Sequence, residues 1–157
     1  MVDISLITES EIELRKIKGY RYQIGKECVI PIVSKELKKA LINIETVIHP
    51  FYQIYKDRVW VKDLYAWDGA TGAVNTSDLI VPSLIHDIGC QAVNSKKIPF
   101  SLREDFDEEY YQQCLLYGVC KERALIHYTI IKAWGKIPKD KDGDEYSKIY
   151  EVEILGF

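Results

Sequence analysis

A histidine beside an aspartate is the pair in this chain best suited to do chemistry. In Ile85-His86-Asp87 a helix would set neighbouring side chains about 100° apart, so one can address a water while the other addresses a cation. A second carboxylate, Asp107, follows Arg103 by four residues, one helical turn away on the flank of an apolar face. An imidazole backed by a semi-buried carboxylate keeps one tautomer and gains a stabilised charged form, the relation of a general base to its orienter. His86 and Asp107 are therefore the candidate catalytic pair. The plainer alternative is that Asp107 pairs only with Arg103, as any i,i+4 ion pair on a helix does.

The loop Asp68-Gly69-Ala70-Thr71-Gly72 offers backbone carbonyls to a hard cation. Calcium would take Asp87 together with carbonyls near Gly69 and Gly72, although a glycine loop between a strand and a helix is commonly no more than a turn. The run from Asp140 to Glu145 resembles the start of a calcium loop, but Lys141 and the missing distal glutamate make it a solvated turn. Cys90 stands one turn after His86 with no third orienting group in sight, and reads as a small buried filler. His127 falls on an apolar helix face as a core histidine, and His49, before Pro50, reads as a surface turn residue.

The elements that must position these groups are legible from period and punctuation. Alternation through Tyr20, Tyr22 and Ile24, a turn at Gly25-Lys26 and the run from Cys28 predict one hairpin; Phe51 to Tyr55 and Val59 to Tyr65 predict a second, with Val59, Val61 and Leu64 inward. Ser34 can cap a short helix through about Ile42. Beyond the glycine loop, Pro82 suits the first turn of a helix on which Val81, Leu84, Ile85, Ile88 and Ala92 share one side, with His86, Asp87 and Cys90 toward the other. Ser101 and Glu104 have the spacing of a capping box, Phe106, Tyr110, Cys114 and Tyr117 recur at helical spacing, and Gly118 is placed to stop that helix. A third helix from about Lys121 to Trp134 is apolar around most of its circumference and is expected to be the central one. The fold class is α+β: a small antiparallel N-terminal sheet plus a C-terminal strand, packed on a layer of three helices. One domain over 1–157 is expected, sheet-rich in 1–67, helical in 77–135, with the last strand in 146–156.

Composition limits the function classes. The chain has 157 residues, a formal charge of -3 and 29% charged residues, with both signs interspersed, so it carries no basic field to hold a phosphate backbone and nucleic acid is not an expected partner. No stretch is apolar enough to span a bilayer and no secretory signal opens the chain, so a cytoplasmic location in which all four cysteines stay reduced is expected.

These residues in this order resemble a known family. Asp68-Gly-Ala-Thr, Val81-Pro-Ser-Leu-Ile-His-Asp87, Ser101-Leu-Arg103 with Asp107 and Tyr110, and Gly118-Val with Ala124, Tyr128, Lys132 and Gly135 resemble the phage-associated family catalogued as domain of unknown function 1353. The likeness runs from about Tyr55 to Gly135. Cys90 stands where that family usually has tyrosine, and Gly72 follows Thr71 where a proline often sits nearby. The resemblance implies a phage or prophage origin, a place in the host cytoplasm or the virion, and other phage proteins or a second copy as partners. Arg103, Tyr128 and Asp68 are expected to form a structural cluster around the His-Asp helix. More loosely, a glycine loop, a His-Asp helix and a facing aspartate look like the core of phospholipase A2, which implies His86 as base, Asp87 as calcium ligand, Asp107 as orienter, and a lipid or other ester as substrate. Two functions thus stay open: a virion or tail-assembly component in which the polar cluster locks two helices, and an ester hydrolase, with or without calcium.

Overall fold

A computed structural model describes residues 14–17, 20–69 and 76–135. They form an α+β fold of two small antiparallel sheets and four helices. Strands β1 (Leu14–Ile17), β2 (Tyr20–Ile24) and β7 (Ala66–Trp67) make one sheet in the order β1-β2-β7. The other runs β3-β6-β5-β4, from β3 (Cys28–Pro31), β4 (Val47–His49), β5 (Tyr52–Ile54) and β6 (Arg58–Val61).

The second expected hairpin forms, with Tyr52 opposite Val61 and Ile54 opposite Val59. Val59 and Val61 are fully buried while Arg58 and Trp60, which alternate with them, are half-buried, the period-two pattern of a strand with one inward face. Leu64 is only half-buried and has a left-handed backbone at φ 76°. The first expected hairpin does not form. After Gly25-Lys26 the chain passes from one sheet to the other: Ile24 gives its N–H to Tyr65 O and its carbonyl to Leu64 N, while Cys28 to Pro31 pair with Val61 to Arg58. A turn signal fixes where the chain bends, not which strand takes the exposed edge. His49 is likewise no surface residue. It lies in β4, 4% exposed, its ring stacked on Tyr52 and its Nδ1 accepting from Phe51 N.

Helix α1 (Lys35–Leu41) starts as expected, with Ser34 Oγ accepting from Leu37 N at 3.2 Å. A 3₁₀ turn (Ser77–Leu79) leads into α2 (Ile80–Asn94), which is followed by α3 (Leu102–Leu116) and α4 (Lys121–Gly135). The expected capping box at Ser101 is absent: its backbone is already helical, its side chain makes no cap bond, and Pro99 and Phe100 carbonyls take Leu102 N and Arg103 N instead. An N-cap needs an extended backbone, and this preceding turn removes it. At the other end of α3 Gly118 has φ 87°, with its N–H on Leu115 O and Val119 N on Cys114 O, the paired bonds of a left-handed helix stop.

The central helix is not the expected one. Twelve of the fifteen residues of α2 are buried, because one side meets the sheets and the other meets α3. Helix α4 touches α3 through one face, burying Ala124, His127 and Ile131 and leaving Leu125 and Ile126 exposed. Its apolar circumference exceeds what its neighbours cover. The strand expected at 146–156 lies outside the described residues. Among the described residues no helix is long and apolar enough to cross a membrane.

Candidate functional site

Two buried aromatic residues fix α2 on the sheets. Trp67 Nε1 donates to Ser83 Oγ at 2.9 Å, and Tyr65 OH donates to Gln91 Oε1 at 3.1 Å. On the opposite side α2 and α3 approach closely at Gly89, where an added Cβ would fall 2.3 Å from the Phe106 ring. A glycine inside a helix costs about 1 kcal/mol relative to alanine; here it admits the facing ring. Glu109 holds α3 from the other direction. Fully buried, it accepts from Val33 N at 2.9 Å, Ser34 N at 2.8 Å and Gln113 Nε2 at 2.9 Å, so one carboxylate ties α3 to the start of α1. Burial raises its pKa, and those bonds and Lys38 oppose the rise.

Between these fixings lie the residues of the His-Asp helix and its facing acid. His86 Nε2 is 2.6 Å from Asp107 Oδ1, and Arg103 Nε donates to the same oxygen at 3.2 Å. Asp107 is 1% exposed, Arg103 6% and His86 8%. Cys90 Sγ stands 3.7 Å from both ring nitrogens of His86. A sulfur equidistant from the two cannot lie along either N–H bond, so the contact is a weak one. The Tyr110 ring meets that of His86 in a T-shaped contact, the centroids 5.5 Å apart. Burial favours the neutral imidazole, but Cys90 and the Asp107 carboxylate favour the charged form and prevail, raising the His86 pKa to about 10. The 2.6 Å bond to the Asp107 carboxylate favours the protonated ring.

The structure thus joins His86, Asp107 and Arg103 and leaves other expected members elsewhere. Tyr128 packs on Tyr111, with Lys132 Nζ 5.0 Å from its ring centroid, and α4 carries it on the far side of α3. Asp68 is exposed at the end of β7. Asp87 is half-buried on α2. Gly69 is buried with φ 86°, and Gly72 lies outside the described residues. Among the described residues no three His, Cys, Asp or Glu side chains converge to hold a metal ion. All four cysteines are free thiols, and burial, then the neighbouring Glu27, pushes Cys28 up to about 12.

A further buried imidazole lies on the other side of Tyr110. His127 Nδ1 is 3.2 Å from Tyr110 OH, beside the ion pair of Arg123 Nη1 and Asp78 Oδ2 at 3.1 Å. A cleft of about 400 Å³ opens at the ends of α3 and α4, lined by Phe100, Ser101, Arg103, Glu104, Asp107, Lys132 and Gly135. Sequence reasoning missed Gly89, Glu109 and this cleft. Only Gly89 carried a local signal, a glycine in a helix that propensity alone would not place there.

Site and fold together describe an α+β protein with a buried His-Asp-Arg cluster between two helices. No protein-family model, curated protein or solved structure matches the chain.

Proposed function

We propose that the protein works by binding rather than by catalysis, as a phage-derived virion or tail-assembly component in which His86, Asp107 and Arg103 lock α2 to α3. The observation that carries this reading is the placement of His86: 8% exposed and bonded at Nε2 to Asp107, with its pKa raised. A general base must present an unprotonated nitrogen to a water within reach, and burial together with the bond to Asp107 works against that here. The phage origin rests on the order of the Asp68 loop, the His86-Asp87 helix and the Arg103/Asp107 helix in the sequence.

An ester hydrolase is the second reading, favoured by one observation, that Asp107 borders an open cleft. In that reading His86 would have to lose its proton to act as base, and any calcium would rely on Asp87 and Gly69. The two readings part in one experiment. The binding reading expects the chain in purified particles by mass spectrometry, and wild type and His86→Gln equally inert toward a panel of phospholipids and short esters, with or without calcium. Turnover that His86→Gln abolishes while circular dichroism shows the fold intact would overturn it.

A further inference from the structure

The cleft at the ends of α3 and α4 has an ionic floor and a partly apolar rim. Arg103 and Asp107 form the floor, 6% and 1% exposed. The rim carries Phe100, 71% exposed, Ser101, the exposed Glu104 and the half-buried Lys132. Four charged groups line it, two of each sign, so the ligand it suits depends on which charges are already answered. The Asp107 carboxylate is answered twice, since Oδ1 takes both the imidazole and the guanidinium. Glu104 stands in water, where its charge is screened. Lys132, in the last turn of α4, offsets the carbonyl end of its own helix and lines the same cleft, its Nζ 5.0 Å from the Tyr128 ring centroid.

Arg103 is the better defined cation. Its bond to Asp107 uses Nε, leaving Nη1 and Nη2, the fork that matches an oxyanion, outside that bond. Gly135 lies over the guanidinium: an added Cβ would stand 3.4 Å from Cζ, Nε and Nη2. A side chain there would cover the face that the glycine leaves open. We propose that this cleft binds a small oxyanion, a carboxylate or phosphate group, through the guanidinium of Arg103 and the ammonium of Lys132. The binding site stands on its own lining residues and holds whether or not His86 is a lock.

Calorimetric titration of the full chain with inorganic phosphate, and separately with acetate, tests this. Saturable binding of either anion is expected, weakened about tenfold, a typical loss for one charge contact, in Lys132→Gln. Gly135→Ala, which helix propensity favours, should weaken it as well by masking the guanidinium. Lys121→Gln, at the opposite end of α4, should bind as wild type does. Binding of phosphate alone would assign the site to phosphoryl groups, and binding of acetate to carboxylates. No saturable heat with either anion, or binding that Lys132→Gln leaves unchanged while circular dichroism shows all variants folded, would overturn the proposal.

Discussion

His86 and His127 are each 8% exposed, yet their pKa values shift in opposite directions. His86, between α2 and α3, faces the Asp107 carboxylate at 2.6 Å, and its pKa is raised to about 10. His127, between α3 and α4, faces a neutral phenol. Burial first and then the Arg123 cation lower its pKa, with Asp78 opposing. Exposure alone therefore does not set the proton affinity of a buried histidine: a carboxylate bonded to the ring opposes the effect of burial, whereas a nearby cation adds to it. Tyr110 lies between the two, its ring T-shaped against His86 and its hydroxyl on His127, so each cluster can be perturbed alone. The pH dependences should run in opposite directions. Stability from His86, whose pKa is raised on folding, is fully present below its ordinary value of 6.5 and is lost as pH rises through about 10. For His127, lowered on folding, the contribution is complete above 6.5 and is lost as pH falls toward its lowered value.

The largest expected effect breaks the first cluster. Asp107→Ala leaves an imidazolium and a guanidinium buried against each other, and removing one partner of a buried ion pair costs about 3–5 kcal/mol. Urea denaturation should show that loss, and a change under about 1 kcal/mol would mean that water, not Asp107, answers those charges. Tyr110→Phe is the smaller perturbation and sharpens the contrast. It removes the hydroxyl from His127 while keeping the ring beside His86, so a loss of about 1 kcal/mol is expected, with the alkaline limb of the stability curve unchanged. A shifted alkaline limb would show that the two histidines are coupled through Tyr110.

What the sequence disclosed of this arrangement was its local part. Ser34 as a cap, the alternation that buries Val59 and Val61, the left-handed stop at Gly118 and the helical projection that turns His86 toward Asp107 all depend on residues a few positions apart, and all appear in the structure. Features set by distant partners did not show. Glu109 binds the backbone of Val33 and Ser34, 76 and 75 residues earlier, and nothing around it distinguishes it from Glu108. Strand β3 turns away from β2 because β6 pairs with it, and His49 is buried because β4 pairs with β5. The absent capping box at Ser101 teaches the reverse: a correct local motif yields when the preceding turn has already set the backbone.

The central claim, that His86 is a charged lock rather than a base, is most directly tested by a ¹⁵N-¹H NMR titration of the histidine side chains between about pH 5 and pH 11, a window that brackets the ordinary histidine pKa. The account expects His86 to keep the two equivalent nitrogen shifts of an imidazolium through neutral pH and to lose its proton only near pH 10, while His127 shows a neutral ring at pH 7. A His86 ring that is neutral at pH 7 and titrates in the ordinary range would contradict it.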